Sequence, residues 1–391
     1  MNSERPVYFD YMATTPIDPR VIEEMLHYMG PTTEFGNPAS VTHCFGRKAA
    51  IAVEHARAEV AALVGASDEE IVFTSGATEA NNLAILGAST FYQRQGKHLV
   101  TLATEHKSVL DSFKHLEKCG FEVTYLKPQS NGLLDHADVL NALRDDTILV
   151  SLMHVNNETG VIQSIETIAP LLSERGILFH VDAAQSAGKL PIALTELPVD
   201  LMSFSAHKLY GPKGVGALYI RHKPRVRLNP QTYGGGHEGG MRSGTLATHQ
   251  IVGMGKAFQF ANENRANEYA YLSSLRQRLW VGIQHLPGLV LNGDAKMRIA
   301  NNLNIRFEGL HHDDLLIALK GIAFSTASAC VSQKTGPSYV LRALGLTTEE
   351  VQSSIRLSFG RFTSLKEIDT LISILCREIP ALYDALKKDK K

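Results

Sequence analysis

The run Ser203-Phe-Ser-Ala-His-Lys208-Leu-Tyr-Gly-Pro-Lys-Gly-Val-Gly-Ala-Leu-Tyr219 decides how the rest of the chain is read. Its lead-in, Asp200 to Ser205, is short, apolar and bounded by turn residues, which predicts a buried strand. That strand delivers Ser205, His207 and Lys208 together into a loop holding Gly211, Pro212, Gly214 and Gly216. Such glycines let backbone approach a ligand closely. A lysine lifted off a strand end into a closed pocket loses hydration, so its pKa falls and its amine can act as a Schiff-base nucleophile. On residue type alone, Lys208 would be a surface lysine beside a glycine turn. The hydroxyl and imidazole just before it, and the companion motifs below, favour the nucleophile.

Outward from this run, strand and helix patterns alternate. Strands are expected at Ile71–Phe73, Leu99–Leu102, Glu122–Leu126, Ile148–Met153, Ile177–Val181 and Leu201–Phe204. Between and before them, helical periodicity covers Arg47–Val64, Ala77–Gln93, Ser108–Lys118 and Ile165–Glu174. This alternation predicts an α/β unit with a mostly parallel sheet covered on both faces, and ligands outside the carboxyl ends of its strands. Beyond Thr245 the character changes. A long helix over Gln250–His285, strands at Asn302–Phe307 and Ile355–Ser358, and a last helix over Leu365–Leu386 predict a smaller α+β domain. The expected division is residues 15–260 for the large domain, with 1–14 and 261–391 forming the small one.

Composition narrows the function. With 391 residues, 44% hydrophobic and 20% charged, the chain has an ordinary globular make-up. A net charge of −1 gives no electrostatic reason to expect nucleic acid or an anionic membrane as partner. No apolar run is long enough to span a bilayer, and Met1-Asn-Ser-Glu-Arg-Pro6 lacks the apolar core of a secretory signal, so a cytoplasmic location is expected. Four scattered cysteines without a CxxC pair read as reduced thiols rather than a disulfide framework. No metal site is expected, because His237-Glu238 lacks a second histidine at helical spacing and the adjacent His311 and His312 would point apart on a helix.

Three further motifs fall at strand ends. Thr74-Ser-Gly-Ala-Thr-Glu-Ala-Asn-Asn82 follows a strand and opens a helix, which makes an anion seat to which Thr78 can add its hydroxyl. It reads equally as an ordinary helix cap. In Thr104-Glu-His-Lys-Ser108, His106 can stack on a flat ring or move protons, or it can simply cap the next helix. His180-Val-Asp182-Ala-Ala-Gln185 ends an apolar strand in a carboxylate that needs a cationic partner. A lysine or arginine would serve. So would a protonated pyridine nitrogen, and with Lys208 nearby that points to pyridoxal phosphate.

Taken together, these motifs resemble the cysteine desulfurases, members of the class-V aminotransferase-like, fold-type I pyridoxal-phosphate transferases, and most closely their iron–sulfur-cluster and nitrogenase-associated branch. The likeness runs from Tyr8-Phe-Asp-Tyr-Met-Ala-Thr-Thr-Pro16 to Arg356-Leu-Ser-Phe-Gly-Arg361. It implies a seven-stranded-type sheet in the large domain. It further implies that Lys208 carries the cofactor, His106 stacks on its ring, Asp182 pairs with the ring nitrogen and Gln185 meets the ring hydroxyl. Ala77 through its main chain, Thr78, Ser205 and His207 would hold the phosphate. Thr245, in Tyr233-Gly-Gly-Gly-His-Glu-Gly-Gly-Met-Arg-Ser-Gly-Thr245, would reach the phosphate of a second subunit, so a homodimer is implied. Asn37, Asn157 and Arg356 would face the substrate, Arg356 gripping its carboxylate.

The resemblance also assigns Cys330 as the nucleophile that takes sulfur from L-cysteine, on a loop spanning about residues 323–337. The small, polar surroundings in Ser325-Thr-Ala-Ser-Ala-Cys330-Val-Ser-Gln-Lys-Thr-Gly-Pro337 fit an accessible thiol. The usual fate of a free cysteine, a small core residue, is the competing reading there and the adopted one for Cys44, Cys119 and Cys376. The implied products are L-alanine and a persulfide passed to an iron–sulfur scaffold or a tRNA-thiolation carrier. Two departures stand out: Gly239 occupies a position where relatives commonly carry arginine, and the chain ends at Lys391 without the acceptor-docking tail usual in the branch. A selenocysteine or cystine lyase is the nearest alternative, and a non-catalytic partner protein on the same fold is the alternative of a different class.

Overall fold

The computed structural model describes residues 5–326 and 336–389. Its first half runs β1 (Val7–Tyr8), α1 (Pro19–Leu26), α2 (Cys44–Val64), β2 (Ile71–Thr74), α3 (Ala77–Tyr92), β3 (His98–Leu102), α4 (Lys107–Lys118) and β4 (Glu122–Leu126). There follow α5 (His136–Ala142), β5 (Thr147–Met153), α6 (Ile165–Ser173), β6 (Leu178–Asp182), β7 (Leu201–Ser205) and β8 (Gly216–Ile220). The rest comprises α7 (Thr248–Ile283), β9 (Leu289–Leu291), β10 (Asn302–Phe307), α8 (His312–Ala318), β11 (Ile322–Ala323) and β12 (Ser325–Thr326). It closes with α9 (Tyr339–Ala343), α10 (Thr348–Gln352), β13 (Ser354–Ser358) and α11 (Leu365–Asp389).

The main sheet has seven strands in the order β2-β8-β7-β6-β5-β3-β4. Every ladder is parallel except those of β8, which pairs antiparallel with β2 and β7. Strands β5, β7 and β8 are buried along their whole length and β6 in all but its first residue, which explains their near-continuous apolar sequences. The mostly parallel α/β sheet expected from the alternation is therefore present. The sequence reading places Gly216 in the glycine-rich loop after Lys208, whereas Gly216–Ile220 is an inner strand of the sheet. Its glycine has a steric origin: a Cβ on Gly216 would lie 2.5 Å from the Phe204 carbonyl oxygen and 2.6 Å from the Gly76 Cα.

A second core lies beyond α7. The antiparallel sheet β12-β13-β10-β9 packs with Leu371, Leu375 and Ile379 of α11 and with Leu272, Leu275 and Leu279 from the second half of α7. The first half of α7 contributes Ile251, Met254 and Phe258 to the core of the main sheet instead. The N-terminal segment joins both regions. Val7 and Tyr8 pair in parallel with Ile322 and Ala323, and the Thr15 amide then donates to the His207 carbonyl at 3.0 Å beside the main sheet.

Strand β2 is an edge, and edges need cover. Arg57 of α2 donates to the Ile71 carbonyl at 2.8 Å, while Glu238 accepts from the Phe73 amide at 2.6 Å. The two side chains also pair with each other, at 2.7 and 2.8 Å, and so stand in for a further strand. This ties the glycine-rich segment 233–245 to the sheet.

Two expectations change here. Cys44 and Cys119 are exposed, not small core residues; Cys44 opens α2 and Cys119 caps the end of α4. His311 and His312 do not point apart, because His311 precedes α8 in extended conformation, and their rings lie 4.3 Å between centroids. With Asp313 they form an exposed group of potential ligands at the surface. Among the described residues, no helix is long and apolar enough to cross a membrane.

Candidate active site

Parallel strands bring their carboxyl ends to one edge, and there a cavity of about 550 Å³ opens. Its lining includes Gly76, Ala77 and Thr78 after β2, His106 after β3, Asp182 at the end of β6, and Ser205, His207 and Lys208 after β7. Motifs spread over some 130 positions therefore share one cavity, as expected from the sequence.

Lys208 ends a single 3₁₀ turn that begins directly after β7. Its Nζ donates to the carbonyls of Met12 and Ala13, both at 2.6 Å. Burial, reinforced by the positive charges of Lys189 and Arg356, lowers its pKa from 10.5 to about 7, although Asp10 and Asp182 pull the other way. A substantial share of this amine is thus neutral near pH 7, the form that attacks carbonyl carbon. Burial together with Lys208, Lys213 and Lys189 lowers the His207 pKa to about 4, so this imidazole is neutral. Its Nδ1 lies 3.1 Å from the Thr14 hydroxyl.

Asp182 is almost fully buried. Its carboxylate accepts from the Asn81 side chain at 2.8 Å and from the Ala184 amide at 3.0 Å. Neither donor is charged, and among the described residues no lysine, arginine or histidine lies within ion-pair distance of it. A buried anion so placed calls for a cationic ligand group. His106 is the N-cap of α4, as the capping alternative would have it, and its ring also lines the cavity.

The first turn of α3 has no side-chain cap. A helix start without one leaves amide N–H groups free, with the positive end of the dipole behind them. Space in front of Gly76 is open, since a Cβ there would meet nothing within 4 Å. Ser205, His207 and Lys213 lie on the same lining. Free amides, hydroxyl and amine so arranged suit an anion.

On the other side, Arg356 of β13 donates to Asp10 at 2.6 Å, to the Ser325 hydroxyl at 2.8 Å and to the Asn157 carbonyl at 2.7 Å. Its Nε and the Asn157 side-chain oxygen are buried without partners among the described residues. Both residues line the main cavity and an adjoining one of about 220 Å³, to which Thr326 and Gly336 also contribute. Gln185 reaches the cavity, but its amide donates to the Met12 carbonyl at 2.9 Å and its oxygen accepts from Lys189 at 3.3 Å. Asn37 and Thr245 are exposed and do not line the cavity of their own chain. Cys330 lies outside the described residues.

Sequence reasoning missed Asn81, Ser108, Met12, Asp10 and Lys189. Asn81 left little signal, because its burial, on a helix face that also buries Ser89, is visible only in the fold. The carbonyls of Met12 and Ala13 left none, because any residue supplies a carbonyl.

The class-V aminotransferase model matches residues 7–371. The chain belongs to the class-V aminotransferase family. Within this family it is 56% identical over 389 residues to the cysteine desulfurase IscS of Klebsiella pneumoniae, covering 98% of this chain and 96% of that one. It is 57% identical over 379 residues to the IscS of Pectobacterium carotovorum, covering 97% and 94%. Among solved structures, a NifS-like protein superposes with a TM-score of 0.87 at 36% identity, covering 94% of this chain and 97% of the other. A structure described as SspA in complex with cysteine superposes with a TM-score of 0.82 at 37% identity, covering 92% and 100%.

Proposed function

We propose that this class-V aminotransferase-fold protein is a cysteine desulfurase: it takes sulfur from L-cysteine, releases L-alanine, and holds the sulfur as a persulfide on Cys330 for an acceptor in iron–sulfur cluster assembly or tRNA thiolation. The observation that carries this reading is the meeting, in one cavity, of a lysine whose pKa burial lowers to about 7 and a buried carboxylate with no counter-cation among the described residues. Identity above half to curated cysteine desulfurases over almost the full length supports it.

Pyridoxal phosphate fits this donor set. Lys208 offers the amine for its aldehyde carbon, and Asp182 offers the anion for its ring nitrogen. The open first turn of α3 at Ala77 and Thr78, with Ser205 and His207, offers the seat for its phosphate. His106 and Gln185 line the same cavity. When bound, the cofactor supplies an electron-accepting ring next to the carbon that takes the amino group of an amino acid.

The chain's own residues do the rest. Arg356, held by Asp10 and Ser325, receives the substrate carboxylate, with Asn157 beside it. Lys208, as a neutral amine, would accept the proton from the substrate α-carbon. The Cys330 thiolate attacks the substrate sulfur; the S–S bond forms as the S–C bond breaks, and the carbon side leaves as alanine once protonated. The two described ends of its segment, at Thr326 and Gly336, border the cavity next to Arg356.

Exposure of Asn37 and Thr245 in a single chain fits a homodimer in which each is offered to a second copy. The exposed apolar side chains Leu26, Met29, Phe35, Val41, Phe45 and Ile51 on and around α1 and α2 would be covered by the same contact. A cytoplasmic location accords with this chemistry and with thiols kept reduced.

The test is product analysis with L-cysteine, coupled to mapping of persulfide by mass spectrometry. Alanine in step with persulfide at Cys330, lost in Cys330→Ala, is the expected result. Pyruvate and ammonia, or full persulfide formation by Cys330→Ala, would replace this reading with that of a lyase or another nucleophile.

A further inference from the structure

Asp182 ends β6 and His106 caps α4, yet a continuous line of hydrogen bonds joins them. The Asn81 amide nitrogen donates one hydrogen to the Asp182 carboxylate at 2.8 Å and the other to the Ser108 hydroxyl oxygen at 2.9 Å. The Ser108 hydroxyl lies 2.8 Å from Nδ1 of His106. The backbone amide of Ser108 also donates to that Nδ1, at 3.2 Å. A main-chain N–H can only donate, so Nδ1 must present its lone pair. The Ser108 oxygen already accepts from Asn81, which leaves its own hydrogen for the same Nδ1. Both donors push the imidazole proton to Nε2.

We infer that Asn81 and Ser108 are positioning residues that lock Asp182 and His106 into one hydrogen-bonded unit and fix His106 as the neutral tautomer with its proton on Nε2. Asn81 is fully buried, and its two N–H hydrogens are both committed to the line. Turning the amide over would set its oxygen against the Asp182 carboxylate, so the arrangement has one orientation. A ring whose nitrogen is gripped from behind by two donors cannot rotate without losing both. Its face toward the cavity is thereby set before any ligand arrives. Movement of the Asp182 carboxylate is likewise felt at His106 through three hydrogen bonds.

This inference gives the ring-facing residues of the proposed function their orientation, but its test does not depend on turnover. Full-length protein labelled with ¹⁵N-histidine is examined by long-range ¹H–¹⁵N correlation spectroscopy, with and without the aldehyde cofactor, and His106 is assigned by loss of its signals in His106→Gln. The expected spectrum has Nδ1 at the unprotonated position and Nε2 at the protonated one. Ser108→Ala shifts both nitrogens toward the average of the two tautomers, and Ser108→Thr, which keeps the hydroxyl, restores them. Asn81→Leu, which keeps the volume, produces a similar shift although residue 81 does not touch the imidazole. Should that variant not fold, Asn81→Ser takes its place. A wild-type spectrum with Nδ1 protonated or with averaged tautomers overturns the inference, as does an unmoved His106 in the folded Asn81 variant. Failure of the desulfurase reading would show as absent alanine and leave these spectra unchanged.

Discussion

Lys208 and Gln185 donate to the same acceptor, the Met12 carbonyl, at 2.6 and 2.9 Å. The amine is thus tied to the N-terminal segment rather than to any carboxylate, and the surrounding protein favours its neutral form. In a cofactor-free chain this has a thermodynamic consequence. Unfolding returns Lys208 from about 7 to its ordinary 10.5, so between those values the unfolded state binds more protons and stability rises with pH. The penalty for the charged amine is complete below about pH 7 and fades as pH approaches 10.5. Lys208→Met should therefore raise the Tm of cofactor-free protein at pH 6–7, with a gain that shrinks steadily toward pH 10. Parallel curves for the two proteins across that range, by differential scanning calorimetry, would contradict the depressed pKa.

Arg356 tests the substrate side. Its two terminal nitrogens are oriented by Asp10, Ser325 and the Asn157 carbonyl, leaving a buried Nε without a partner among the described residues. Lysine at this position keeps the charge but loses the planar fork. A charge-assisted hydrogen bond contributes about 1.5–3 kcal/mol, so Arg356→Lys should raise the KM for L-cysteine roughly 10- to 100-fold. The visible spectrum of the resting holoenzyme should stay unchanged. Asp10→Asn should act in the same direction more weakly, since it leaves the guanidinium but loosens its hold. A KM within twofold of wild type in Arg356→Lys would exclude Arg356 as the carboxylate ligand.

Much of this arrangement is legible in the sequence, because strand periodicity and strand-end motifs are local. Glu122–Leu126 and Asn302–Phe307 have the boundaries that their alternation predicts, and the alternating pattern correctly puts His106, Asp182 and Lys208 on one edge. What escapes depends on distant chain. Gly216–Ile220 looks like the end of a loop because a glycine opens it; only packing against Gly76 and Phe204 explains that glycine. The short α10 was also missed, although Thr347 and Glu350 form a capping box that announces it. Asn37 and Thr245 carry no feature of their own that would say which cavity they serve, and the folded chain leaves them at its surface.

The glycine at 216 is itself testable. A methyl group there would press on two backbone atoms, the Phe204 oxygen and the Gly76 Cα, neither of which can rotate away. Overpacking of this kind costs about 1–3 kcal/mol. It also pushes on the turn that opens α3, so Gly216→Ala should lose pyridoxal phosphate during dialysis faster than wild type as well as melting earlier. Gly236→Ala is a useful contrast, since its surroundings are empty but its φ of 70° strains any side chain. That variant should lose stability without the loss of cofactor retention. Equal cofactor retention in Gly216→Ala and wild type would separate this glycine from the phosphate seat.

The Arg57–Glu238 pair calls for a different kind of experiment, because its partners are both side chain and backbone. Burial works against the Arg57 charge, but the Glu238 and Glu54 carboxylates overcome it and keep the guanidinium pKa above its ordinary value. Removing Arg57 leaves Glu238 buried without its cation, at a cost of about 3–5 kcal/mol, whereas removing Glu238 leaves Arg57 its pair with Glu54 and should cost less. For a simple buried ion pair, replacing both members with apolar residues would recover most of that loss. Here it should not. Arg57 also serves the Ile71 carbonyl and Glu238 the Phe73 amide, so Arg57→Met with Glu238→Leu strands two backbone groups on the edge of β2. The double variant should remain at least about 2 kcal/mol less stable than wild type, the cost of two unsatisfied polar groups. It should also release the glycine-rich segment, read as faster amide exchange over residues 233–245. Wild-type stability and exchange in the double variant would mean that the pair does not serve as the missing strand.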